Sequence, residues 1–258
     1  MTIGGETGLR RAGFWRRILA FLVDMAVILV PLQIVVAVLF AQTNGRIQGN
    51  FGFTLNSCTA LSQLPEGLQT QIANPTHATD CTKSFFGFPT ARLLMVSRST
   101  TEGAVTSTVS EGFWLDASGQ LTDRAGYDVT WIAVLALIAF ILAAEVQSGR
   151  SIGDRVTRIR VADVSRPAVH GLPVLKSFGR HLAKLVGFIP LAVVQAPILY
   201  YRYDSGAMSR YAESSIYRVG FYVGMALLIA WIVWIIVATA RKRDPVYDRL
   251  AGTAVLRA

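Results

Sequence analysis

The chain has 258 residues, 52% of them hydrophobic, and a mean hydropathy of +0.44, which is above the range of a soluble domain and favours an integral membrane protein. The net charge of +9 and a pI near 10.0 raise nucleic acid as a partner. The basic residues, however, collect at the ends of apolar runs instead of clustering on one soluble domain, which argues against DNA or RNA binding.

Residues 1–17 form a polar lead with Arg10, Arg11, Arg16 and Arg17 against one acid, Glu6, which marks the cytoplasmic side by the positive-inside rule. The apolar run at 14–41 follows, with the span proper at 18–41, longer than the roughly 20 residues that the hydrocarbon core requires. It is too long for the apolar core of a signal peptide and contains Asp24, so an uncleaved first helix is expected. A carboxylate at that depth is expensive unless it faces the protein interior and finds a partner. Arg17, about two helical turns before it on the same face, is the expected partner. Pro31 and Gln33 fall in the outer half of the run, read either as a kink or as a tolerated transmembrane proline.

Residues 42–126 are polar and rich in glycine and threonine. Five basic residues (Arg46, Lys83, Arg92, Arg98, Arg124) stand against six acids (Glu66, Asp80, Glu102, Glu111, Asp116, Asp123). This near-neutral balance suits an extracytoplasmic domain. Both cysteines of the chain, Cys58 and Cys81, lie here. A disulfide between them is expected if the segment is outside, worth about 3 kcal/mol in the chain-entropy model, and two free thiols if it is not. Alternating runs at 91–97 and 112–116, with a turn-like Asp-Ala-Ser-Gly at 116–119, suggest a small domain containing strands.

A second span is expected at 127–146, and residues 147–184 at its cytoplasmic end hold Arg150, Arg155, Arg158 and Arg160. The glycines at 149 and 153 lack the lysine and spacing of a phosphate loop, and Gly-x-Ser-x-Gly, although it has the letters of a hydrolase elbow, lies in a membrane-proximal basic loop and not on a strand-to-helix turn with acid and histidine partners, so tight-turn packing is the stronger reading. Between 173 and 189, Lys176, Arg180 and Lys184 recur at helical spacing opposite Leu175, Phe178, Leu182 and Leu185. This pattern predicts an interfacial amphipathic helix whose basic stripe meets anionic lipid headgroups, with a solvated face as the alternative. His181 beside the stripe reads as an interfacial polar residue. A third span follows at 185–203, interrupted by Pro190, Gln195 and Pro197 and closed by Tyr200, Tyr201 and Tyr203; a broken or re-entrant helix stays open there. A short outer loop is expected at 204–217, a fourth span at 218–240, and a cytoplasmic tail at 241–258 that opens with Arg241, Lys242 and Arg243. The fold class is thus an α-helical membrane protein of four spans with a small, partly β, extracytoplasmic domain.

Three motifs resemble one family. The stretch Phe-Trp-Arg-Arg-Ile-Leu-Ala-Phe-Leu-Val-Asp at 14–24, the glycine-arginine loop at 149–161, and Tyr-Asp-Arg-Leu-Ala-Gly-Thr at 247–253 are similar, in that order, to the signature of the bacterial RDD membrane proteins. The family is named for one arginine and two aspartates, which the resemblance places at Arg17, Asp24 and Asp248. The long segment 43–128 has no counterpart in that pattern.

The resemblance implies a multi-pass protein of the bacterial cytoplasmic membrane and offers sodium/proton antiport, or other small-solute transport at an intramembrane Arg/Asp site, as an activity, with monovalent cations and protons as partners. Physics raises a difficulty, since a permanent Arg17 partner would keep Asp24 ionised, whereas a proton carrier has to titrate near the working pH. Four spans also call for a homo-oligomer if access is to alternate. The alternative is a non-catalytic accessory or scaffold protein, associated with copies of itself or with other membrane proteins, in which Arg17, Asp24 and Asp248 form a structural clamp. No nucleophile-base pair, metal-ligand spacing or cofactor loop stands out, and His77, His170 and His181 are widely separated, so neither an enzyme nor a bound cofactor or metal is expected.

Overall fold

A computed structural model describes residues 10–65, 67–70, 72–103, 105–122, 126–200 and 205–257. Glu6, Glu66, Asp123, Arg124, Tyr201 and Tyr203, which entered the charge and aromatic patterns above, lie outside the described residues. The chain divides into two compact units, Met25–Ala139 and a second made of Met1–Asp24 with Phe140–Ala258.

Four helical runs have the length and apolarity to cross a membrane: Phe14–Gln42, Thr130–Ser148, Val174–Ile198 and Ser215–Ala240. The first is helix α1 (Phe14–Gln42), which continues through Pro31 without a break.

In the unit Met25–Ala139, α1 leads through strand β1 (Ile47–Gln48) into an antiparallel meander of β2 (Leu55–Leu61), β3 (His77–Phe85), β4 (Phe88–Glu102) and β5 (Val105–Trp114). Alternation places Leu94 and Val96 of β4 inside, where they pack with Ala78 and Leu115. Cys58 of β2 stands opposite Cys81 of β3, and the two form the disulfide. Asp116 accepts bonds from the Ser118 hydroxyl and the Gln120 amide, which makes the turn after β5. The chain leaves through β6 (Tyr127–Asp128), parallel to β1, and enters helix α2 (Thr130–Ser148).

The entry is held by buried amides. Gln48 donates to the carbonyls of Gly45 and Leu115 and accepts the Arg92 amide, so its side chain is fully used in a dry position. Gln33 accepts the Phe51 amide at 2.8 Å. These polar residues are how an apolar helix is joined to a sheet without stranding backbone groups.

The second unit contains the last part of α2 and a short helix α3 (Ile152–Val156), whose start is a capping box: the Asp154 amide donates to the Ser151 hydroxyl, and the Ser151 amide donates to the Asp154 carboxylate. Strand β7 (Ile159–Asp163) then pairs antiparallel with the C-terminal strand β8 (Thr253–Arg257). The N-terminal lead joins them, with the Ala12 amide bonded to Val255 and the Arg257 amide to Arg10. Ala12, Ala20, Ile159, Val161, Leu172 and Val255 form the core. Helix α4 (Val174–Leu185) runs through a 3-10 turn at Val186–Phe188 into α5 (Ile189–Tyr200). Helix α6 (Ser205–Glu213) follows, then the long α7 (Ser215–Ala240), against which α5 packs, and the short α8 (Val246–Leu250).

Two expectations change. The 204–217 segment, expected as a plain loop, contains α6, because a short polar helix carries no apolar periodicity to announce it. The amphipathic stretch and the third span are not separate elements, since α4 belongs to one membrane-length run from Val174 to Ile198.

Candidate functional site: a buried charge cluster

Asp24 is 4% exposed. Its carboxylate accepts the Ser151 hydroxyl at 2.5 Å and the Gly153 amide at 2.7 Å. Both donors lie at the start of α3, and their approach requires glycine at 153, because a Cβ there would overlap the Ala20 carbonyl of α1. The glycine loop is therefore a close-packing device that presents one hydroxyl and one amide to a buried carboxylate.

Arg17 does not pair with Asp24. Its guanidinium donates through Nη1 to Asp248 Oδ2 at 3.0 Å and through Nε to the Ala12 carbonyl at 3.3 Å. The expected Arg17–Asp24 pair is corrected for a physical reason. Two turns of helix separate the residues by roughly 10 Å along the axis, and each finds a nearer partner on another element. Asp248 itself has no exposed surface. It also accepts Arg180 Nε at 2.6 Å and the Thr253 hydroxyl at 3.3 Å. Burial pushes the Asp248 carboxyl up, but the charges of Arg180 and Arg17 outweigh it and hold the group below the usual carboxylate range.

Arg180 is the bridge of the cluster. It is 5% exposed and bonds Asp248 with Nε and Glu145 with Nη1. Glu145, near the end of α2, also accepts the Ser177 hydroxyl at 2.8 Å, and His181 Nε2 lies 3.2 Å from it. Two arginines and two carboxylates thus form a chain, Arg17–Asp248–Arg180–Glu145, that joins α1, α8, α4 and α2. Lys184 sits at its edge, 5.5 Å from the centre of the Tyr247 ring.

The expected headgroup stripe of Lys176, Arg180 and Lys184 is likewise corrected. Arg180 is spent inside the protein, and Lys176 donates to both oxygens of Asp163 at 2.7 Å. That bond, with help from Ser165, lowers the Asp163 carboxyl to about 2. The face of α4 turned away from the protein is the apolar one, with Leu175 81% exposed and Phe178, Leu182 and Leu185 also open. The helix is amphipathic, but three acids on neighbouring elements, Asp163, Glu145 and Asp248, draw the basic side inward. His181 joins this inner side, beside Glu145 and 3.4 Å from Lys184 Nζ.

Glu145, Ser151 and Ser177 were not singled out from the sequence. Glu145 carried the available signal, since an acid at the end of an apolar run requires a partner as much as Asp24 does. The serines carried none, as a hydroxyl that serves a distant carboxylate looks like any other serine. The structure brings Arg17 and Asp248 together, gives Asp24 to the glycine loop, and sets Cys58 and Cys81 in the sheet unit as a disulfide. Among the described residues, no group of three or more His, Cys, Asp or Glu side chains is placed to hold a metal ion.

These features define a chain of membrane-length apolar helices closed by a buried arginine-carboxylate network, with a disulfide-bonded sheet unit. The model of the RDD family matches residues 11–74, a stretch that includes Arg17 and Asp24 and runs on into the sheet unit. The match therefore extends past the first helix, beyond the motif at 14–24, and leaves Glu145, the glycine loop and Asp248 outside. Comparison with curated proteins and with solved structures gave no match.

Proposed function

We propose that this chain is a multi-pass protein of the bacterial cytoplasmic membrane, with both termini cytoplasmic, that acts as a non-catalytic accessory or scaffold. Its charge cluster is a structural clamp, and its disulfide-bonded sheet unit is the part offered to copies of itself or to other membrane proteins. The observation that carries this reading is the sharing of cations within the network: Asp248 and Glu145 share Arg180, Arg17 also bonds Asp248, and Ser177 also bonds Glu145. A carboxylate held between two guanidiniums below its ordinary pKa is suited to assembly and poorly suited to picking up protons. The resemblance of 11–74 to the RDD family, the four membrane-length helices and the arginine-rich segments supply the membrane and orientation parts of the reading.

A second reading, cation/proton antiport, is favoured by one observation. Among the described residues, Asp24 bonds the Ser151 hydroxyl and the Gly153 amide and pairs with no arginine or lysine. The two readings part in sealed vesicles holding the purified chain. The scaffold reading expects no proton movement when sodium, lithium or potassium is added. Cation-dependent proton movement that disappears in Asp24→Asn would overturn it in favour of antiport. Reporter fusions at Gly119 and at the C-terminus test the topology, which expects the two on opposite sides.

A further inference from the structure

Within the unit Met25–Ala139, the β3–β4 hairpin is built against its usual chemistry. Phe85 and Phe88 pair across a two-residue turn of Phe86 and Gly87, with φ of 47° and 87°. Turns with positive φ at both central residues favour Asn-Gly or Asp-Gly, because a bulky side chain is strained in the left-handed region. Phe86 is nevertheless there, and the residue is 81% exposed, beside an exposed Phe88. A strained and solvent-averse residue at a hairpin tip calls for a reason outside the strand pairing.

The tip does not stand alone. Phe85, Phe86 and Phe88 form one wall of a groove of about 620 Å³, and Ile34, Val38 and Ala41 of α1 form the other. That size lies within the range of small-molecule sites, roughly 300–1,000 Å³. The α1 wall is continuous with the exposed apolar side of the same helix, where Ile34, Val35 and Val38 are open, and α1 at 29 residues is long enough to cross a bilayer. What lies against that side of the helix in a membrane is hydrocarbon, and the groove opens onto it. The groove sits at the last turns of α1, near the end of the crossing, where a chain can enter from a lipid whose headgroup stays in the interface.

We propose that this groove is a lipid site: it takes an acyl chain of a membrane phospholipid between the last turns of α1 and the phenylalanine hairpin, which dips into the bilayer surface. The proposal rests on the membrane reading of the preceding subsection. The burial of apolar surface drives it, at about 25 cal/mol per Å², and no headgroup chemistry is required.

The test uses the full chain in phosphatidylcholine vesicles containing a phosphatidylcholine with a diazirine on its acyl chain. After irradiation, adducts are mapped by mass spectrometry. Adducts are expected on Phe85, Phe86 and Phe88, and also on exposed apolar positions elsewhere, such as Ile232 and Val233 of α7. In Ala37→Trp, which fills the groove from the helix side, the hairpin adducts should fall to background while those on α7 persist. Phe86→Asn, which suits the turn and keeps the disulfide, should lose them too. Adducts on α7 with none on the hairpin would overturn the lipid site and leave the membrane reading standing. An absence of adducts from every apolar helix would overturn both. If a second copy occupies the groove instead, a photoreactive residue at position 86 will join two chains while the hairpin stays shielded from lipid, and the proposal fails.

Discussion

Asp24 accepts the Ser151 hydroxyl at 2.5 Å, so the carboxylate inside the first helix is satisfied by the glycine loop and not by the arginine that precedes it. The energetic consequence follows from which groups are stranded when Asp24 changes. Asp24→Ala leaves the Ser151 hydroxyl and the Gly153 amide without an acceptor, at about 1–3 kcal/mol each. Asp24→Asn keeps one acceptor oxygen, and its loss should be under about 2 kcal/mol. Because Arg17 and Asp24 share no partner, Arg17→Gln and Asp24→Asn should have additive effects on the unfolding midpoint in detergent. A double variant as stable as the better single one would show that the two residues are coupled after all.

Arg180 should be the most sensitive position in the cluster. Arg180→Met takes the bridging cation from both Asp248, which keeps Arg17, and Glu145, which keeps the Ser177 hydroxyl, and breaking a buried ion pair from one side loses about 3–5 kcal/mol. Arg180→Lys should recover little of that, because a single ammonium lacks the planar fork that reaches both carboxylates. Thermal unfolding of the two variants beside Lys184→Met checks this. A shift for Arg180→Met no larger than that for the lysine at the cluster's edge would remove Arg180 from its central place.

How much of this was legible follows the range of each signal. The apolar run at 14–41 marks α1 to within one residue, because hydropathy is local and the run is long. The alternating runs at 91–97 and 112–116 fall on strands, the second overrunning the end of β5 by two residues, and Cys58 and Cys81 are visible in their confinement to one segment. The pairing of β7 with β8 was not visible, since each strand is short and its partner lies far along the chain. The same limit misled the reading of the cluster. Helical spacing shows that Arg17 and Asp24 share a face, and that Lys176, Arg180 and Lys184 share another. It does not say which distant acid or serine meets that face, and the partners Asp248, Ser151, Glu145 and Asp163 all come from elsewhere in the sequence.

Acid should weaken the Lys176–Asp163 contact before it reaches the rest of the fold. The folded Asp163 carboxyl lies at about 2, below an unfolded value near 3.9, so the bond's contribution is complete above about pH 4 and is lost as pH falls toward 2. With Lys176 partly open to solvent, that contribution should be under about 1 kcal/mol. Lys176→Met should flatten the acid side of the stability profile in this window. An identical acid slope in the variant would mean that the pair adds nothing.

The Cys58–Cys81 bond should resist alkylation in the native chain and yield two labelled thiols after reduction and unfolding. Its loss should make the sheet unit cleave sooner in limited proteolysis, consistent with about 3 kcal/mol of constraint on the unfolded chain. Labelling at either cysteine without reductant would refute the bond.

Gly153 sets the contact between α3 and α1. Its amide reaches Asp24 because nothing stands between the α3 backbone and Ala20. In Gly153→Ala the added methyl meets a carbonyl oxygen fixed in a helix, so the strain has no flexible side chain to absorb it. Such overpacking loses about 1–3 kcal/mol, and a shift of α3 away from α1 would lengthen the Gly153–Asp24 bond as well. The variant should therefore be destabilised on that scale, and combining it with Asp24→Ala should fall short of the sum only by the Gly153–Asp24 bond that both lose, because the clash with Ala20 does not depend on Asp24. Ala20→Gly would not relieve the clash, since the oxygen belongs to the backbone. An unfolding midpoint for Gly153→Ala equal to that of the unaltered chain would show that α3 moves freely against α1, and the close-packed view of the glycine loop would fall.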